Sequence, residues 1–306
     1  MDLVHVGAAL AVQMVVILGA CRLSGWLVGR FLHQPRVIGD MIAGILLGPS
    51  LLGWLAPQAQ ALLFLIETRP LLQFVAQAGI GLYMFLVGLG FRRAHFHLQA
   101  GSAVAVSLCG IIVPFLGAVA LTPWLSAMGL FGPTVTRFEA TLFIGVAISI
   151  TAFPVLARII RERGLGGTPL AALALSAGAI DDAIAWSILA ILLACIGADG
   201  MIAVRALGGG GLFAIVMLFL DSRLLAPLAR WAEREGRVTP AMLLVVLLLF
   251  GGCAWAMDMA GLHAVFGGFL LGVAMPRGIL SQGLARRLEP VSYTHLRAHE
   301  TRGNIV

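Results

Sequence analysis

Two adjacent carboxylates, Asp181 and Asp182, sit near the middle of a segment that is otherwise apolar from Pro169 to Ile196. An ionised carboxylate at the centre of a bilayer costs about 2.5–3.5 kcal/mol on insertion scales. Two side by side also repel each other, so the pair is tolerated only where it faces a water-filled cavity, a cation or both. Successive helical residues point in different directions, so one carboxylate can enter an ion site while the other serves as its neighbour. Such a pair can bind a proton and a cation in turn. The bland alternative is a structural pair satisfied by backbone groups and water.

A second signal lies upstream, in Ser149-Ile150-Thr151-Ala152-Phe153-Pro154. A proline inside an apolar helix removes a backbone hydrogen bond and clashes with the preceding turn. The carbonyls it frees, with the hydroxyls of Ser149 and Thr151, are natural ligands for a dehydrated monovalent cation, because transporters build ion sites from interrupted helices. A plain proline kink is the alternative. Asp40, in Arg36-Val37-Ile38-Gly39-Asp40, is expected to be solvated or capping and to have no transport role. The small residues Gly39, Ala43 and Gly44 around it allow close helix contact. His263 could sense pH, but a lone interfacial histidine is expected to be structural. Arg158, Arg161 and Arg163 read as anchors at the membrane surface.

These residues need a membrane-spanning scaffold, and composition demands one. Hydrophobic residues make up 60% of the 306 and charged residues only 11%, against roughly a quarter charged in a soluble protein. Mean hydropathy is +1.01. About nine apolar segments are long enough to span or nearly span a bilayer: Val6–Val28, Val37–Trp54, Leu71–Gly90, Ser102–Leu125, Ala140–Ile160, Pro169–Ile196, Ala206–Ala226, Pro240–Met257 and Leu262–Met275.

Arginine placement supports that count. All 20 basic residues are arginine. With the N-terminus outside, fourteen fall in the inner loops, from Arg30 and Arg36 through Arg286 and Arg287, and only Arg69, Arg137 and Arg205 in the outer ones. A wrong helix count would scramble this bias. The four cysteines lie in apolar runs with no metal-ligand spacing and read as small packing residues. No phosphate-loop, dinucleotide, zinc-protease or CxxC pattern occurs, so no cofactor and no enzymatic chemistry is expected. The glycine run Gly208–Gly211 reads as flexible or close-packing. The polar tail Val291–Val306 breaks the pattern. Its VSYTHLRAHET string resembles the in-frame translation of a transposase sequencing adapter, so residues 291–306 are expected not to be native, and the membrane domain of residues 1–290 to continue past Pro290.

The motifs QPRVIGDMIAGILLGPSLLG, SITAFPVLAR, SAGAIDDAIAW and HAVFGGFLLGVAMPR, in that order, resemble the sodium/hydrogen exchanger superfamily. The similarity spans residues 1–290 and is greatest to the branch of potassium-efflux antiporters and plant cation/H⁺ exchangers. It implies an all-α inverted-repeat fold, with about nine of some 12 to 13 helices present. It also implies a homodimer in which a core domain moves against a dimerisation domain. Carried over by position, Asp182 binds cation and proton alternately, Asp181 is its partner, and Thr151 with Ser149 belongs to the helix broken at Pro154. Two aspartates here imply electrogenic exchange in many members. The resemblance further implies a second, crossing broken helix, expected past Pro290.

The expected function is exchange of Na⁺ or K⁺ for H⁺ across a bacterial inner membrane. The alternatives are a gated K⁺ efflux pathway on the same fold, or an inactive fragment. An intramembrane aspartyl protease needs carboxylates from different helices, which neighbours on one helix do not supply. An organic-anion symporter does not call for the acidic pair.

Overall fold

A peptide group in hydrocarbon has no water to bond, so a chain this apolar must satisfy its backbone within helices. The computed structural model describes residues 3–90, 93–197, 201 and 204–288, and every regular element among them is helical. In order these are α1 (Leu3–Phe31), α2 (Arg36–Leu47), the short α3 (Leu52–Leu55) and α4 (Pro57–Leu63), and a 3₁₀ turn at Ile66–Thr68. Then come α5 (Arg69–Gly90), α6 (Arg93–Ala127), α7 (Arg137–Ser149), α8 (Phe153–Glu162) and α9 (Pro169–Gly197). A π-helical turn (Arg205–Gly210) leads into α10 (Gly211–Leu224), α11 (Ala226–Glu235), α12 (Pro240–Met259) and α13 (Ala264–Ala274), and residues 279–288 are again helical.

Among the described residues, seven helices are long and apolar enough to cross a membrane, and two shorter apolar helices, Leu207–Met217 and Ala264–Ala274, fall on the remaining two expected segments. The chain is an all-α, multi-pass membrane protein. Arg92, Pro290 and the tail Val291–Val306 lie outside the described residues.

Small residues set the closest packing. A Cβ on Gly39 of α2 would lie 2.5 Å from the Gly25 Cα of α1, so that pair meets backbone to backbone, as the Gly39–Ala43–Gly44 spacing suggests. Gly88 of α5 and Gly272 of α13 approach one another in the same way. The glycine run is a packing element too: Gly209 and Gly210 lie against Ala260 and Leu262 in the turn between α12 and α13. Of the cysteines, Cys21 and Cys253 pack inside as expected, whereas Cys109 and Cys195 are exposed. On a membrane helix an exposed thiol faces lipid at little cost, so composition alone could not sort them.

Three groups of helices result. One is α1 to α4, tied by Gln13, whose Nε2 donates to Leu63 O and to Thr68 Oγ1, both at 2.7 Å. A second is α5 with α10 to α13 around a core that includes Phe85, Met242, Leu271 and Leu284. The third is α6 to α9. It touches the others chiefly where α8 meets α2 and α5 and where α9 meets the π-helical turn. Ile80, Tyr83, Phe153, Val265 and Phe269 fill the joint between α5, α8 and α13, with the rings of Phe153 and Phe269 edge to face at 5.2 Å.

Candidate functional site

The interrupted helix is real, but its break differs from a proline kink. The helix α7 stops at Ser149, residues 150–152 are non-helical, and α8 begins at Phe153. Pro154 therefore sits in the first turn of α8 and not in the interior of a continuous helix. There its missing N–H removes no bond, because first-turn amides have no helical partner anyway. The start of α7 is fixed by a capping box, in which Thr136 Oγ1 accepts from Glu139 N and Glu139 Oε2 accepts from Thr136 N. At the break the C-terminal carbonyl end of α7 adjoins the N-terminal amide end of α8. The first attracts cations and the second anions.

Ser149 is buried, and its hydroxyl donates to Val146 O of its own helix at 3.2 Å. Its oxygen can still accept or ligate. Thr151 lies within the non-helical residues and is exposed. Across from the break, Gly178 of α9 abuts the first turn of α8: a Cβ there would lie 3.1 Å from Leu156 and 3.3 Å from Phe153. Asp181 and Asp182 follow one turn later, both half-buried. The small residue thus brings the Asp-Asp pair to within about a turn of the broken segment.

The two carboxylates face different neighbours. Asp181 points at α6, with its Oδ2 3.6 Å from where a Gly110 Cβ would be. Its Oδ1 is buried and has no hydrogen-bond partner among the described residues, and the same is true of Ser107 Oγ, one turn before Gly110. Buried oxygens are normally paired, and Asp181 Oδ1 is one left unpaired where α9 meets α6. By helical spacing Asp182 lies beside Ala179 and Trp186 on α9, one step round from Ala183. Beside this stretch of α9 is a cavity of about 200 Å³, bounded by Ala179, Ala183 and Ser187 and by Leu262 and Phe266 opposite.

The Trp186 ring lies tilted against that of His263, 5.2 Å between centroids, and His263 is the N-cap of α13, its Nδ1 accepting from Val265 N at 3.4 Å. The structural reading of this histidine fits that geometry. His263→Ala should cost about 1 kcal/mol, as lost caps do, seen as a lower unfolding temperature in detergent. The pH profile of ion flux should not move.

Asp40 and Arg158 require correction. Asp40 is not solvated: it is fully buried and forms an ion pair with Arg158, which is 3% exposed and is no surface anchor. Arg158 Nε also donates to Glu162 Oε1 at 3.1 Å, Glu162 Oε2 accepts from Arg36 N at 2.6 Å, and Arg163 donates to His33 O at 3.3 Å. The far end of α8 is thereby bound to α2 and the α1–α2 turn. One signal could have revealed Asp40: a lone acid in an apolar helix is a functional candidate by default.

Comparison with known proteins agrees with this architecture. The family described as sodium/hydrogen exchanger, transmembrane, matches residues 17–298. A Na⁺/H⁺ antiporter of Synechocystis is 36% identical over 287 residues, covering 93% of this chain and 70% of that protein. Cation/H⁺ antiporter 18 of Arabidopsis thaliana is 34% identical over 90% of this chain, and K⁺/H⁺ antiporter 1 of Saccharomyces cerevisiae is 31% identical over 80%. The chain spans only 34% and 29% of those two longer proteins.

Proposed function

The chain belongs to the sodium/hydrogen exchanger transmembrane family, and from that premise we propose that it exchanges Na⁺ or K⁺ for H⁺ across a bacterial cytoplasmic membrane through Asp182. Asp181 serves as its neighbour, and Thr151, Ser149 and the end of α7 at the break before Pro154 supply further oxygen ligands. The observation that carries this is the placement of the Asp-Asp pair one turn beyond Gly178, which packs on the first turn of α8 at the helix break. Competition between proton and cation for one carboxylate suffices to couple the two fluxes, because a bare charge is too costly to carry through hydrocarbon. The N-terminus lies outside, so the arginine-rich loops face the cytoplasm. The working unit is a homodimer.

The test is flux in proteoliposomes. An exchanger takes up Na⁺ or K⁺ against an outward proton gradient, saturates with cation, and reverses when the gradient is reversed. Flux that is linear in cation and indifferent to the proton gradient would replace this reading with a channel. Resequencing the gene across the codons for residues 289–306 tests whether Val291–Val306 belong to the protein; an unaltered frame in independent clones would make them native.

A further inference from the structure

A second cavity lies away from the Asp-Asp pair. About 1000 Å³ in volume and open on one side, it is bounded by the end of α1, the turn into α2 and the end of α8. Its wall carries Arg30, Arg36, Arg158 and Arg163, with Glu162 as its one carboxylate. Asp40, behind the wall, is engaged by Arg158. Glu162 is engaged as well, one oxygen by Arg158 Nε and the other by Arg36 N. Four guanidinium groups thus face two carboxylates. Among the described residues, Arg30, Arg36 and Arg163 have no carboxylate within ion-pair distance. The turn that brings them together is held in an uncommon conformation: His33 has φ 53°, the one left-handed non-glycine residue described, and its carbonyl accepts from Arg163.

Trp26 lines one edge of the cavity, with Phe31 packed against it just outside. Trp26 is 54% exposed, it packs edge to face with the exposed Phe31 at 6.3 Å, and Arg30 lies over its ring at 5.8 Å. Tryptophan with arginine at the end of a spanning helix belongs to the headgroup layer of a membrane. A soluble anion would use the guanidinium groups and leave this edge idle. A phospholipid uses both, its phosphate accepting charge-assisted bonds from arginine and its chains running down the exposed face of α1.

We propose that this cavity is a binding site for the phosphate headgroup of an anionic phospholipid. Arg30, Arg36 and Arg163 hold the phosphate, and Trp26 and Phe31 seat the glycerol and upper acyl chain. The site is distinct from the carboxylate pair, and the proposal does not depend on the ion exchanged.

Its test is the unfolding temperature of the purified full chain in a neutral detergent, titrated with phosphatidylglycerol, phosphatidylcholine or inorganic phosphate. Phosphatidylglycerol should raise that temperature by several degrees, less so at high salt, and the other two should not. In the Arg30→Gln/Arg163→Gln variant the shift should vanish. Arg30→Gln alone, at the solvent end of α1, should reduce it without altering unfolding in phosphatidylcholine, and Arg30→Lys should restore part of it. An equal shift with phosphatidylcholine would overturn the proposal, as would a shift that survives the arginine substitutions. A full response to inorganic phosphate would overturn it in favour of a soluble anion.

Discussion

Asp182→Asn is expected to reduce cation-for-proton exchange in proteoliposomes to the rate of protein-free vesicles. An amide cannot release a proton at any accessible pH, and it offers a cation a dipole in place of a charge, so both half-reactions fail together. The substitution is nearly isosteric on a helix whose neighbours at this level are small, so unfolding in detergent should change by less than about 1.5 kcal/mol. Asp181→Asn should behave differently. Its carboxylate faces Gly110 of α6, whereas Asp182 lies one helical step further round α9, so exchange should continue. The mobile site would carry one negative charge fewer, and the dependence of flux on membrane potential should change accordingly, since moving one charge through 100 mV is worth about 2.3 kcal/mol. Full exchange in Asp182→Asn, or identical losses in both variants, would remove Asp182 from the role assigned to it.

That contrast rests on features visible in the sequence to different degrees. The helices were readable because lipid imposes one solution on the backbone, and nine apolar runs became seven long helices and two short ones. Of the two short ones, Leu207–Met217 contains the glycine run Gly208–Gly211 and Ala264–Ala274 follows the turn at Gly261, features that shorten an apolar run without making it polar. Asp181 and Asp182 stand out as candidates from the cost of burying charge in lipid alone. The break was readable as a proline but misplaced as an interior kink, since the same residue type serves a kink and the first turn of a new helix. Only the non-helical residues 150–152 distinguish the two. Asp40 could be singled out as a lone acid in an apolar helix, but its pairing with Arg158 could not be read. The partners are 118 residues apart, and each borders an arginine-bearing stretch that looks like an ordinary membrane-surface loop.

That pair carries the second large effect expected. Breaking a buried ion pair by removing one partner costs roughly 3–5 kcal/mol, because the remaining charge is stranded in low dielectric. Arg158→Leu takes the guanidinium away from a fully buried carboxylate, and it also frees Glu162, whose other oxygen holds Arg36 N. It should therefore lower the unfolding temperature of the chain in detergent more than any single change proposed above. Asp40→Leu should cost less, since Arg158 keeps Glu162 four residues along its own helix. The double variant Asp40→Leu/Arg158→Leu leaves no stranded charge and should be more stable than Arg158→Leu alone, giving a coupling of the size seen for residues in one network. Additive losses would mean that the two side chains do not depend on each other. The coupling has a further consequence for exchange, because this pair, with the Glu162 and Arg163 contacts, fixes the far end of α8, whose first turn abuts α9 one turn before the carboxylates. If the α6–α9 group shifts as a body during transport, the variant lacking both charges should exchange ions with an altered rate while keeping its half-saturating cation concentration, since no ligand at the break has been touched.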